Sequence, residues 1–139
     1  MRFLLDTNVL SELVKRDPAP RVMDWVARQS PLDLAISVLT FGEIAKGVGV
    51  LAPGRHRDLL ERWIAREVPR QFTGRLIEID ARVASRWGEL AAAARRDGHA
   101  LPVIDGLLLA TAAVHDLTLV TRNERDCANR GVEIHNPWA

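Results

Sequence analysis

Arg2-Phe3-Leu4-Leu5-Asp6-Thr7-Asn8-Val9-Leu10 is the stretch on which the fold class of this chain turns. Arg2 to Leu5 is a short apolar run of the kind that makes a strand buried on both faces. It stops at Asp6, Thr7 and Asn8, whose short polar side chains suit the open N–H groups at a helix start. Val9 to Lys15 then reads as helix. A buried strand that runs straight into a capped helix belongs to the α/β class if the pattern repeats.

It does repeat. Asp17-Pro18-Ala19-Pro20 breaks the chain before a helix through Val22, Trp25 and Val26. Leu34 to Val38 reads as a second strand, followed by a helix in which Thr40 and Glu43 have capping-box spacing. Pro53-Gly54 turns the chain into a helix from Arg55 to about Val68, which Pro69 should end. Leu76 to Ile79 is a third strand. Asp80 can cap the next helix, whose Val83, Trp87, Leu90 and Ala94 follow one face, and Gly98 closes it. A further helix opens near Pro102 and runs to about His115. Leu117 to Val120 is a fourth strand and Val132 to Ile134 a weak fifth. The alternation predicts an α/β/α sandwich around a mainly parallel sheet of four to five strands.

Bulk properties agree. The 139 residues fit a single domain spanning 1–139, and 47% apolar with 27% charged residues is ordinary for a globular protein rather than a disordered or fibrous one. The longest apolar stretch, Leu107 to Val114, is too short to cross a bilayer, and the N-terminal segment lacks the features of a signal peptide. A lone cysteine, Cys127, cannot form an internal disulfide, which makes the cytoplasm the expected compartment. The net charge of +1 selects no partner. Its distribution shows a basic run, Arg55, His56, Arg57, Arg62, Arg66, Arg70 and Arg75, and a smaller pair, Arg95 and Arg96. Asp58, Glu61 and Glu67 interleave with the first group, so a solvated helix face competes with a phosphate-contacting one.

Ligands in a parallel α/β sheet gather outside the carboxyl ends of the strands. That rule selects Asp6 after the first strand, Glu43 in the helix after the second, Asp105 near the start of an almost wholly apolar helix, and Asn123 with Asp126 after the fourth strand. Each has a bland alternative: capping for Asp6, a capping box for Glu43, macrodipole preference for Asp105. Taken together they point to a cation, because carboxylates crowded on one rim would otherwise protonate. Hard oxygen ligands without paired His or Cys select Mg²⁺ or Mn²⁺ over zinc. The chemistry such ions support is phosphodiester hydrolysis by activated water, with no covalent nucleophile. His56, His99, His115 and His135 lack ligand spacing and read as surface or structural residues.

Four blocks carry a family resemblance: Leu4-Leu-Asp-Thr-Asn-Val-Leu-Ser-Glu12, Phe41-Gly-Glu-Ile-Ala-Lys-Gly-Val48, Asp105-Gly-Leu-Leu-Leu-Ala-Thr-Ala112 and Leu119-Val-Thr-Arg-Asn-Glu-Arg-Asp126. Their order and spacing resemble PIN-domain toxins of the VapC type, and the Asn136-Pro-Trp138 ending resembles the FitB-like branch. The resemblance implies the toxin of a type II toxin–antitoxin pair, acting as a Mg²⁺- or Mn²⁺-dependent endoribonuclease. It implies Asp6, Glu43 and Asp105 as metal-binding residues, Asn123 at the fourth position with Asp126 as a supporting acid, and Thr7 and Thr121 as substrate-orienting hydroxyls. Asn123 departs from relatives with an acid there, which weakens any second ion site. The implied partners are RNA, a second copy of the chain, and a VapB-like DNA-binding antitoxin that alone would bring the toxin to DNA. No membrane partner is implied. Leu10, Leu13 and Val14, the Leu59–Trp63 pair and Leu60–Ile64 form apolar stripes that would serve either a partner helix or the core.

Competing chemistries fit less well. A haloacid-dehalogenase-like phosphatase needs an acid at position 8, where Asn8 stands. A phosphorylated receiver domain needs a lysine after the last strand, and the chain has only Lys15 and Lys46. A PIN-like module that binds RNA or a partner without cleaving remains the alternative.

Overall fold

The computed structural model describes residues 1–139. Its strands are β1 (Phe3–Leu5), β2 (Leu34–Ser37), β3 (Leu76–Ile77), β4 (Thr118–Val120) and β5 (Ile134–His135). They form one sheet in the order β3-β2-β1-β4-β5, with every neighbouring pair parallel. The helices are α1 (Thr7–Glu12), α2 (Pro20–Arg28), α3 (Val38–Gly49), α4 (Arg55–Arg62), α5 (Val68–Gln71), α6 (Ala81–Arg96), α7 (Val103–His115) and α8 (Glu124–Cys127). All-parallel pairing puts every strand's carboxyl end on the same edge, which is what lets residues from distant parts of the sequence meet there.

Alternation along the strands divides the core in two. Leu5, Leu34, Ile36 and Val120 face one side and pack with Val9, Val22, Ile44, Val48, Val68 and Phe72 from α1 to α5. Leu4, Ala35 and Leu119 face the other and pack with Leu108, Leu109 and Ala112 of α7. The two faces of one sheet are therefore covered by separate helical layers, the predicted α/β/α sandwich. Truncating a fully buried leucine such as Leu119 should cost about 2–5 kcal/mol.

Local chemistry explains most element ends. Asp80 caps α6 by accepting from the Val83 N–H at 2.9 Å. Gly98 ends that helix in the left-handed region, φ 79°, and the Gly98 and His99 N–H groups return to the Arg95 and Ala94 carbonyls as in a Schellman closure. Gly106 answers a packing need instead. A Cβ there would lie 2.9 Å from Trp87 Cδ1, so the missing side chain lets α7 approach α6 beside Asp105.

Three expectations are corrected. Ser37, not Thr40, caps α3, accepting from the Leu39 N–H at 3.1 Å. The helix starts three residues early because β2 ends at Ser37, which leaves Thr40 fully buried inside it and Glu43 free of any capping box. Pro69 does not end the helical path either. A π turn over Trp63–Glu67, closed by the Val68 N–H on the Trp63 carbonyl, shifts the ladder so that a proline can open α5. Arg75 belongs to the architecture rather than to a basic surface: its guanidinium donates to the carbonyls of Pro31, Leu34 and Gln71 and lies over the Phe72 ring. Smaller differences are a first helix ending at Glu12, a third strand ending at Ile77 and a last strand at Ile134–His135.

Candidate active site

The site is assembled from four chain segments at the carboxyl edge of the sheet. Asp6 leaves β1 directly and caps α1, its Oδ1 accepting from the Thr7 N–H at 2.6 Å. Its other oxygen accepts from the Thr121 hydroxyl at 2.7 Å. Capping and site membership are thus not alternatives for Asp6, because a carboxylate has two oxygens and each takes one task. Thr121 follows β4 and is fully buried; its Oγ1 also accepts the Asn123 N–H at 3.0 Å. One hydroxyl consequently ties the ends of β1 and β4 together.

Glu43, one turn into α3, accepts from the Thr7 hydroxyl, which also lies 3.3 Å from the buried Thr40 hydroxyl. Asp105, in the first turn of α7, accepts from Asn123 Nδ2 at 2.8 Å, and the same nitrogen stands 3.1 Å from Asp126 Oδ2. Asn123 therefore bridges two carboxylates that would repel each other unbridged. All seven residues singled out from the sequence, Asp6, Thr7, Glu43, Asp105, Thr121, Asn123 and Asp126, join one hydrogen-bonded neighbourhood. Two more belong there, Thr40 and Asn8. Asn8 Nδ2 lies 3.4 Å from Asp6 and 3.5 Å from Thr121, while its buried Oδ1 has no partner. The Asp6-Thr7-Asn8 run was the available signal for Asn8; nothing local marks Thr40.

The electrostatics are those of crowded acids. Asp6, only 6% exposed, has its pKa raised from 3.8 to about 6, chiefly by desolvation and further by the charges of Asp105 and Glu43, against the lowering hydrogen bonds from Thr121 and Thr7. Burial also raises the Asp105 carboxyl, helped by Asp126 and Glu43 and opposed by the Asn123 amide. Cys127 sits buried behind them, and burial plus the same acids push its thiol up to about 12. It stays protonated and offers no nucleophile. None of the four histidines is hydrogen-bonded into the cluster; His135 packs on Trp25 with ring centroids 5.0 Å apart.

Oxygen ligands fit a hard divalent cation. Three acids feel one another's charge, Asn8 Oδ1 is a buried acceptor without a donor, and no sulfur or imidazole intrudes. In the present side-chain arrangement no three acidic, histidine or cysteine groups form a ready-made cage. Hydroxyl and amide donors, from Thr7, Thr121 and Asn123, occupy the carboxylate lone pairs instead.

Of the clefts that open beside the acids, two differ most in character. One, of about 470 Å³ between α1, α3 and α4, is largely apolar, with Val14, Ile44, Val48, Leu60 and Trp63 in its walls and Thr7 and Glu43 at its margin. Of the apolar stripes read from sequence, Val14, Leu60 and Trp63 line this groove, whereas Leu10 is core and Leu13 and Ile64 pack against it. The second, of about 570 Å³, is largely polar and adjoins Asp126.

A parallel sheet in this strand order with four acidic side chains at its carboxyl edge defines a recognisable class, and residues 3–130 match the PIN domain model. The chain belongs to the PIN domain family. Among characterised proteins it is similar to the toxin FitB of Neisseria gonorrhoeae, 32% identical over 97% of each chain. It is also 31% identical to a VapC ribonuclease of Sinorhizobium fredii, over 97% of this chain and 96% of the relative. Its fold superposes on a chain of the FitAB complex bound to an IR36 DNA fragment with a TM-score of 0.92, at 31% identity and covering 99% of this chain and 96% of that one. No helix is long and apolar enough to cross a membrane.

Proposed function

We propose that the chain is the toxin of a toxin–antitoxin pair and acts as an endoribonuclease that depends on Mg²⁺ or Mn²⁺. The observation that carries this reading is the convergence of Asp6, Glu43, Asp105 and Asp126 on one rim, with Asp6 raised to about 6 by burial and by two of the others. Such a rim is costly unless a cation compensates it. Its near-complete coverage by a toxin and a VapC ribonuclease relative supports the assignment of substrate and biological role.

Asp6, Glu43 and Asp105 would hold the ion. When bound, a divalent ion supplies a polarised phosphoryl oxygen and a water acidic enough to attack phosphorus in line. The chain's own residues set up that chemistry. Thr121 and the Thr7 N–H fix the two Asp6 oxygens in opposite directions. The Thr7 hydroxyl orients Glu43, which would help to orient the attacking water, and Asn123 holds Asp105 and Asp126 in register. Being neutral, Asn123 leaves less charge for a second ion than an acid would.

The whole chain acts as one domain in the cytoplasm and pairs with a second copy. The apolar groove beside Glu43 receives an amphipathic segment of a DNA-binding, VapB-like antitoxin, in the helix-in-groove manner. A basic antitoxin side chain reaching the acids would replace the cation's charge. DNA is met only through the antitoxin.

Purified protein should cleave RNA with Mg²⁺ or Mn²⁺ and stop in excess EDTA. Undiminished cleavage in EDTA, or cleavage by the Asp105→Asn protein at the wild-type rate, would overturn the metal mechanism. Growth unaffected by overexpression, with no small DNA-binding protein co-purifying, would overturn the toxin assignment.

A further inference from the structure

The polar cleft lies between two turns far apart in sequence. One joins α6 to α7, with Asp97, Gly98 and His99; the other follows α8, with Arg125, Asn129 and Arg130. Left-handed backbone at Gly98, Asn129 and Gly131 (φ 79°, 62° and 78°) shapes both turns. The cleft meets the acidic site at Asp126, whose carboxylate accepts from Asn123.

Its walls carry an excess of hydrogen-bond donors. Each guanidinium has five N–H groups. Arg125 makes no ion pair, and the one ionic partner of Arg130 is Asp97 at 3.6 Å, beyond hydrogen-bonding distance. Arg130 is largely buried, 14% exposed in its side chain, and its Nε is fully buried without a protein acceptor. Of the two acids present, Asp126 accepts from Asn123 through one oxygen and Asp97, largely exposed, stands 3.6 Å from Arg130. The terminal guanidinium nitrogens of Arg125 and Arg130 make no hydrogen bond within the chain, so a ligand that completes this cleft should be rich in anionic acceptors. Planar guanidinium forks match phosphate oxygens in pairs.

We infer that this cleft is a subsite for the backbone of single-stranded RNA, in which Arg125 and Arg130 take a phosphate neighbouring the one at the acidic rim and His99 lies along the sugar–phosphate path. The inference rests on the ribonuclease reading for the identity of the polymer, but not for the presence of the anion site. Contacts of this kind position a strand and do not read its sequence. Neither basic run read from sequence lines the cleft, and Arg125 and Arg130 are joined to His99 only by the fold.

The test is fluorescence anisotropy of a labelled, mixed-sequence single-stranded oligoribonucleotide across a salt series, in an Asp105→Asn background that does not cleave. Arg125→Ala should weaken binding roughly tenfold at low salt and reduce the slope of log K against log salt by about 0.7, the value for one phosphate contact on a single strand. Arg125→Lys should restore the slope, since the charge returns, and only part of the affinity. Arg130→Gln, which keeps the polar bulk, should repeat the loss of slope. Unchanged slopes in both Arg125→Ala and Arg130→Gln would overturn the subsite, as would an equal loss in Arg21→Ala on the remote helix α2. Cleavage assays on the wild-type protein separate the two levels: no cleavage with the slope changes intact refutes the ribonuclease reading alone, and cleavage with unchanged slopes refutes the subsite alone.

Discussion

The two clefts beside the acidic rim differ in almost every physical respect. The groove between α1, α3 and α4 is walled by Val14, Ile44, Val48, Leu60 and Trp63, whose burial by a partner rewards apolar contact. The cleft between the α6–α7 and α8–β5 turns is walled by donors, with Arg125 and Arg130 short of acceptors. Both adjoin the acids, one at Glu43 and the other at Asp126. The difference teaches how one small rim can offer an apolar wall to a protein, as proposed for the antitoxin, and a donor-rich wall to a nucleic-acid strand, as inferred for Arg125 and Arg130.

The largest expected effect lies where the two clefts meet. Asp105→Asn should lower cleavage by about 10³-fold or more, as loss of a charged group from the reacting centre does, while weakening antitoxin binding, which rests mainly on the apolar groove, by no more than about tenfold. A parallel loss of both would merge the two regions into one surface. Steady-state cleavage and co-purification from cells expressing both proteins measure the two readouts.

A second test addresses the charge stored at the junction. The folded carboxyl of Asp6 is raised from 3.8 to about 6, so between those values the folded chain binds the proton that the unfolded chain releases. Without a cation, the Asp6 contribution to stability should therefore be fully present below about pH 4 and lost as pH climbs through about 6, about 3 kcal/mol in all. Asp6→Asn should raise Tm by roughly 5–10 °C at pH 7.5 and hardly at pH 4, as differential scanning calorimetry would show. Saturating Mg²⁺ should raise the wild-type Tm at pH 7.5 and lose that effect near pH 5, where Asp6 is protonated. A pH-independent effect of the ion would place it somewhere other than Asp6.

The groove itself is tested by Trp63→Ala, which should weaken antitoxin binding by about 2 kcal/mol, the size of an aromatic hot spot, with RNA cleavage by the free toxin unchanged. Isothermal titration of the antitoxin into the wild-type and Trp63→Ala proteins compares them directly. The smallest effect belongs to Arg62→Ala on the exposed face of α4. It should move stability by no more than about 0.5 kcal/mol and leave the RNA salt slope as it was, since the neighbouring Arg57–Glu61 pair at 3.0 Å marks this face as self-compensated.

The strands, the sandwich and the acids were legible because each depends on local pattern: short apolar runs, capping residues and carboxylates placed just past strand ends. Thr40 was misread because Thr-x-x-Glu is a valid local signature of a helix start. Which hydroxyl caps depends on where β2 stops pairing, and that is set by β1 and β3. Pro69 was misread for a related reason. A proline forbids one hydrogen bond of an α-helix, yet the π turn just before it, over Trp63–Glu67, removes the demand for it.

The sequence by itself determined the class of fold and which carboxylates could act, since strand periodicity and element ends are short-range properties. Only the tertiary structure decided that Thr7 orients Glu43, that Asn123 spans Asp105 and Asp126, and that Arg125 and Arg130 face His99. Those pairings follow from strand order and register in a parallel sheet. They bring together residues whose separation along the chain carries no trace of their proximity.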